Sequence, residues 1–533
     1  MQDNVSLPRK PGHAFDVIVC GSGAAGSVVA RRLSDDPNVN VLLLEAGGLE
    51  YSQAILDPGR WTENVGGPAD WAFLSEPAKE LGDRSLLMSM GKVVGGSTSI
   101  NAMIWAHGHQ QDWDHYAEET GDQAWSYQSV LDIYRSIENY GGDCDLPRGK
   151  GGPVLVNQPS DPHPIALALL EAARASGIPT FPSPNGRMME AASGCAIVNL
   201  RTTGQQRLTI FDTYVRPVLG RRNLTLLTEA TVHHVVIERG RAVGVDVYFQ
   251  GRLQRFTASQ EVVLSTGAIN TPRILMQSGI GNEVELKRLG IPLVQHLPGV
   301  GENLQDHLCF PSVYEYRHEM PARGNGIEAT VYATSELGRS SPDILVCQGE
   351  FPFCSPEIAR QGMPEHGWSL FSGLAQPKSR GRVRLRSAEP TDPVVVQLNA
   401  LSEPDDLRVA RAAVELSREI GAAEAFRALS RRQYYPGEAY AGDLDRFIRD
   451  GAVPFLHQTC AAKMGRDPMS VVDCELKVYG LDALTVADGS VFPRIPTGNT
   501  MAPCVVVGER ASQVLRRRIQ SEKMAEARRE AAI

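Results

Sequence analysis

The chain has 533 residues, 42% hydrophobic and 22% charged, with a formal net charge of −9. A chain of this length divides among two or more cores. Its acidic balance excludes a general nucleic-acid or anionic-membrane binder, whose affinity rests on basic surface. No apolar run approaches the roughly 20 residues that span a bilayer. Residues 1–15 hold no signal-type hydrophobic stretch, and the nine cysteines are scattered without a C-x-x-C pair. The expectation is a cytoplasmic protein without a disulfide framework.

Residues 15–47 come first. Phe15 to Cys20 is a short β-rich run, followed by Gly21-Ser22-Gly23-Ala24-Ala25-Gly26, a helix-compatible stretch from Ser27 to Ser34, and a second apolar run from Asn40 to Leu44 ending at Glu45. Strand, glycine turn, helix and strand, with an acid about 20 residues on, make a dinucleotide-binding unit. Gly21 permits the turn, Gly23 admits a pyrophosphate without a Cβ in its way, and Gly26 lets the helix pack close to the strand. The helix N-terminus offers free N–H groups to phosphates. Glu45 suits ribose hydroxyls and disfavours a 2′-phosphate. The spacing alone does not choose between FAD and NAD.

Residues 91–101 place Gly95 and Gly96 before three hydroxyl residues. Such a loop presses backbone against a flat or anionic ligand, and its neighbours Val93, Val94, Met103, Ile104 and Trp105 are too apolar for a surface loop. Residues 223–266 alternate as strands do, at 225–227, 232–237, 242–249 and 261–264, with turns at Arg239-Gly240 and Gln250-Gly251. His233 and His234 lie next to each other on a strand and so point to opposite faces, which does not make a metal pair. His107 and His109 also lack a set of partner ligands, and no metal site is expected. Residues 309–452 read differently, with Pro-rich connections, strands at 382–385 and 394–398, and a helical pattern from Pro404 to Ile420. His457 follows, then Leu484 to Ser490, Pro496 to Pro503 and a closing helix whose charged end, Glu522 to Arg529, reads as a solvated tail.

Four segments resemble, in order, the signatures of the glucose–methanol–choline oxidoreductase family. They are GKVVGGSTSINAMIWAHG at 91–108, GAINTPRILMQSGIG at 267–281, PGVGENLQDH at 298–307 and the C-terminal stretch 455–503. The Ala46-Gly47-Gly48 after Glu45 is also of flavoprotein type. The resemblance implies an α/β chain with a Rossmann-type FAD-binding domain in three pieces, 14–155, 195–308 and 453–520. A substrate-binding cap of antiparallel sheet plus helices would comprise 156–194 and 309–452, with 1–13 and 521–533 as tails. It puts Gly21, Gly23, Ala24, Ala25, Gly26, Glu45, Ala46, Gly91, Val94, Gly95, Ser99, Asn101, Ala102 and Met103 on the cofactor. Val232 would touch the adenine end, or be an ordinary strand valine. Ala487 and Asp488 would lie by the ribityl–pyrophosphate region, and Asn499, Thr500 and Met501 by the flavin ring. Some relatives bond FAD through a histidine at the position of Ile100. Isoleucine has no nucleophile, so non-covalent FAD is expected. His107-Gly108 and His457-Gln458-Thr459-Cys460-Ala461 depart from the Arg-Gly and His-Pro-Thr-Gly-Thr of many relatives.

The resemblance implies oxidation of an alcohol, a small primary alcohol or polyol, to an aldehyde or ketone by hydride transfer to the flavin. An alcohol C–H is a poor hydride donor until its O–H proton begins to leave, so a base must reach the hydroxyl. Neutral histidine suits that role, which falls to His457. Asn499 cannot act as a base and would orient the oxygen. Electrons would pass to dioxygen, a quinone or another acceptor. Hydroxynitrile lyases and light-driven fatty-acid decarboxylases share the fold, and a catalytically silent FAD binder is a third reading. Retention of both His457 and Asn499 favours alcohol oxidation.

Overall fold

The computed structural model describes residues 13–530. The first apolar run forms the strand Ala14–Cys20, followed by the helix Ala24–Leu33 and the strand Val41–Leu44. Val17 to Cys20 and Val41 to Leu44 are wholly buried, as befits parallel strands covered on both faces. They belong to a seven-stranded sheet in the order 224–227, 41–44, 14–20, 252–264, 241–249 and 231–238, with Leu484–Val486 also beside Arg252–Leu264. The far strands form an antiparallel meander. Its turns fall at Arg239-Gly240 and Gln250-Gly251, where all four residues have positive φ, the twist that two-residue hairpins favour.

Register makes the site. Cys20 pairs with Leu44 and Leu264, Leu44 with Leu227, and Leu264 with Val486. The carboxyl ends of these parallel strands are therefore level. Gly21, Glu45, Ser265 and the Ala487-Asp488 pair emerge along one edge, where ligands of open α/β sheets bind.

The closing helix, Met501–Glu530, lies across the first helix. At the crossing a Cβ on Gly508 would stand 2.8 Å from Ala25 O, and Arg32 pairs with Glu509 at 2.8 Å. Residues 521–530, expected as tail, continue this helix, whereas 1–12 and 531–533 lie outside the described residues.

The second seven-stranded sheet is antiparallel throughout, in the order 430–435, 308–316, 367–374, 344–349, 329–333 and 194–197, with Val453–Pro454 also on the strand Leu308–Tyr316. The predicted helix is Pro404–Gly421. It reaches this sheet where Tyr314 donates its hydroxyl to Ser417 O at 3.0 Å. The strands expected at 382–385 and 394–398 form as Gly381–Arg384 and Val395–Gln397, but in a separate small sheet, where Gly381–Arg384 lies between Glu302–Leu304 and Val395–Gln397. Among the described residues no helix is long and apolar enough to cross a membrane.

Candidate active site

A cavity of about 690 Å³ is lined by residues of both large sheets and of the segments 15–47, 91–108, 267–281 and 455–503, whereas 298–307 contributes none. Gly21, Gly23, Ala24 and Ala25 line one end of it. Gly21 donates to Leu44 O (2.7 Å), and the helix after it has no side-chain cap, which leaves its first amides free for an anion. Glu45 accepts at Oε2 from Ser22 N (3.1 Å) and Ser22 Oγ (2.7 Å), and at Oε1 from Gly47 N (2.9 Å). Burial pushes its pKa up against these bonds. The 91–101 segment lies directly on the glycine turn. Gly95 donates to Ser22 O at 3.1 Å, and a Cβ on Gly96 would stand 3.0 Å from Gly23 Cα.

Three buried polar atoms facing this part of the cavity have no protein partner: Ser265 Oγ, Asn270 Oδ1 and Arg273 Nε. Orphaned buried groups of this kind call for a ligand or water. Nothing stands within 4 Å of a Cβ built on Gly23, so the backbone there is bare towards the cavity. An uncapped helix, a fixed carboxylate, a bare glycine and orphaned polar groups together fit an FAD. Asp488 joins the pieces, accepting from Gly267 N (2.9 Å), Thr271 Oγ1 (2.5 Å) and Ser490 N (2.8 Å). Asn101 is fixed by Arg207 Nη1 (2.9 Å) and Met103 N (2.9 Å) on Oδ1, and its Nδ2 reaches Met501 Sδ at 3.3 Å.

His457 occupies the other end. Residues 305–307 run antiparallel to 455–459 through Gln305–Thr459 and Phe455–His307 hydrogen bonds. Asp306 accepts from His457 N (2.7 Å) and Gln458 Nε2 (2.9 Å), and burial raises its pKa to about 8 against these bonds. Leu456 and Cys460, on either side of this anchored stretch, both have positive φ (65° and 76°). Such non-glycine strain costs ~1–3 kcal/mol per residue and persists only where surroundings impose it.

The hydrogen-bond chain through the two imidazoles admits one pair of neutral tautomers. His307 Nε2 lies 3.0 Å from Ala375 O; a carbonyl only accepts, so this nitrogen carries the proton. His307 Nδ1 is then an acceptor, and His457 Nδ1, 3.0 Å away, donates to it. His457 Nε2 is left with a free lone pair, which accepts from Asn499 Nδ2 at 3.1 Å. The amide end requires the same answer, because an amide nitrogen only donates. Burial pushes the pKa of His457 down to about 4 and that of His307 well below its usual value, so both rings are neutral at ordinary pH.

Models described as GMC oxidoreductase match residues 15–309 and 377–508. The chain is 35% identical to the oxygen-dependent choline dehydrogenase of Rhizobium meliloti (strain 1021), with 93% of this chain and 94% of that protein covered. The chain belongs to the GMC oxidoreductase family. It is an FAD-dependent oxidoreductase acting on CH–OH donors. It is likewise 34% identical to the mitochondrial choline dehydrogenase of Mus musculus, over 94% of this chain and 89% of that one. Pyridoxine 4-oxidase from Mesorbium loti superposes with a TM-score of 0.88 at 30% identity, over 94% of this chain and 98% of that one.

In this GMC oxidoreductase most predicted site residues line the cavity: Gly21, Gly23, Ala24, Ala25, Glu45, Ala46, Gly91, Asn101, Ala102, Met103, Val232, His457, Asp488, Asn499, Thr500 and Met501. Five expected cofactor contacts, Gly26, Val94, Gly95, Ser99 and Ala487, are absent from its lining. Gly26 faces the strands, where a Cβ would stand 1.9 Å from Gly21 O. Val94 is wholly buried. Gly95 is bonded to Ser22, and Ser99 Oγ to Val94 O (2.6 Å). Ala487 N is bonded to Leu264 O (2.8 Å). His307, Asp306 and the orphaned Ser265, Asn270 and Arg273 were not singled out from sequence. All five sit in or beside the quoted signatures, but His307 and Asp306 owe their place to the distant segment 455–459. His107 serves the fold, since its Nε2 lies 2.6 Å from the wholly buried Glu138, which Arg148 and Trp105 also engage. His234 pairs with Asp246 (2.9 Å) and His233 stacks on Tyr248, so the two do diverge.

Proposed function

We propose that this GMC oxidoreductase oxidises an alcohol to the aldehyde or ketone with His457 as general base, Asn499 as the group that holds the hydroxyl, and FAD bound without a covalent link. The free lone pair on His457 Nε2, opposite an amide N–H, carries this reading. A hydroxyl that displaces this direct bond donates its proton to Nε2 and accepts from Asn499 Nδ2. His307 takes no proton. Its acceptor Nδ1 holds the proton of His457 on the far side of the ring, which makes His307 a positioning residue. Bound FAD supplies the acceptor for the carbinol hydride. Dioxygen, a quinone or another acceptor then receives the electrons. The choline named for the Rhizobium and Mus relatives is one candidate alcohol, and a small primary alcohol or polyol is the class the sequence suggests.

Anaerobic bleaching of the flavin band by added alcohols tests the reading, and its pH dependence tests the base. Nε2 is free above the depressed pKa of about 4. The reduction rate is therefore flat in this group from about pH 5 upward and falls only as pH drops through that value. A limb at or above the ordinary histidine pKa of about 6.5 contradicts the burial argument. A yellow protein bleached by no alcohol sinks the alcohol reading.

The residue where some relatives attach FAD is Ile100 here, and it lines the cavity. Acid precipitation is expected to leave all of the FAD in the supernatant. A yellow pellet after denaturation would mean that another lining side chain is bonded to it.

A further inference from the structure

The wall beyond His457 differs in chemistry from the rest of the cavity. Phe455 stacks parallel to the imidazole of His457, with centroids 5.7 Å apart and planes within 3°. Its ring occupies space that only a glycine leaves open, since a Cβ on Gly373 would stand 2.7 Å from Phe455 Cε2. The same device recurs twice. A Cβ on Gly349 would stand 2.3 Å from Phe371 Cε2, and one on Gly326 2.9 Å from Phe351 Cε1. Phe371 in turn meets Phe351 and Phe353 at 6.1 and 5.5 Å. The cap sheet and its loops thus give up side chains at three positions to seat aromatic rings at one end of the cavity.

The carboxylates lining this cavity are already engaged. Glu45 and Asp488 are held at the dinucleotide edge by the bonds given above. Glu357 pairs with Arg84 at 2.6 Å, and Arg84 also donates to Ala452 O at 3.0 Å. Trp61, one of two indoles lining the cavity, donates its N–H to Asn325 O at 2.9 Å. The phenylalanine rings of this wall offer no hydrogen-bonding group, and no carboxylate lining the cavity is without a partner.

We propose that the substrate is an uncharged primary alcohol on an apolar, ring-sized body, of benzylic or branched-alkyl type, and not a quaternary ammonium alcohol or a polyol. This rests on the proposed function, because it takes His457 and Asn499 as the place where the hydroxyl sits. A ring buried here gains apolar burial and offset stacking. A quaternary ammonium gains attraction to ring faces but meets no carboxylate free to balance its charge in this cavity. A polyol brings hydroxyls that the wall leaves unpaired, each at the full cost of desolvation.

The test compares benzyl alcohol, choline, neohexyl alcohol (the uncharged isostere of choline) and glycerol. Dissociation constants are read from the flavin difference spectrum of FAD-loaded His457→Gln protein, which binds without rapid turnover, and bleaching rates from the wild-type holoenzyme. Expected is that benzyl and neohexyl alcohols bind at least ~10-fold tighter than choline or glycerol and bleach the wild-type flavin in the same order. Choline binding as tightly as its isostere, or glycerol binding best, overturns the proposal. If no alcohol bleaches the wild type, the base assignment fails, and the order of the dissociation constants still decides this one.

Discussion

His457→Gln is expected to slow flavin reduction by the best alcohol ~10²–10⁴-fold, the usual worth of a positioned general base, while the protein keeps its FAD. Glutamine retains an amide N–H able to donate towards His307 but offers no basic nitrogen at ordinary pH. The loop should survive the change, because its main anchor is the bond from the backbone N of residue 457 to Asp306, with Gln458 on the second carboxylate oxygen. Anaerobic stopped-flow at saturating alcohol reads the effect directly. The variant should also lose the acid limb that belongs to this imidazole. A loss of less than about fivefold, or an unchanged limb, would assign the base elsewhere.

The glycine turn yields the second large effect. Its three glycines are not equivalent. Gly21 has φ 98°, and a Cβ there would stand 2.4 Å from Ser265 O; one on Gly26 would stand 1.9 Å from Gly21 O. Side chains at either position collide with backbone and endanger the fold itself. Gly23 has φ −65° and ψ −165°, which any residue adopts, and a Cβ there meets no atom within 4 Å. Gly23→Val is therefore expected to leave the apoprotein's thermal midpoint within about 2 °C of wild type and yet weaken FAD binding ~10–100-fold, the equivalent of ~1–3 kcal/mol of overpacking against the ligand. Fluorescence titration of apoprotein with FAD measures it. A variant that loads FAD like wild type would mean that the backbone at Gly23 does not approach the cofactor, while an unfolded one would mean that the valine collides with protein there.

Much of the FAD-binding sheet was legible because its signals are local. The runs at 15–20 and 40–44, the glycines between them and the Arg239-Gly240 turn depend only on neighbours in sequence. Strands at 382–385 and 394–398 were legible as strands, yet their sheet was not, since pairing with Glu302–Leu304 is a long-range choice. The expected contacts Gly26, Val94, Gly95, Ser99 and Ala487 show the limit of motif reading. A motif conveys which residues build a wall, and the packing of one segment on the next decides which of them face the cavity.

The dinucleotide unit could be read from local residue type and spacing, and the candidate pair His457 and Asn499 from the resemblance of the surrounding segments to the family. Only the tertiary structure decided how that pair is armed. The tautomer of His457 follows from His307, 150 positions away, from the Ala375 carbonyl a further 68 positions from His307, and from Asn499, 42 positions beyond His457. The aromatic wall likewise draws on Phe351, Phe371 and Phe455 and on glycines elsewhere in the chain that make room for them. A proton's place on a ring and the shape of a cavity are set by which groups meet in space, and that depends on every strand register in between.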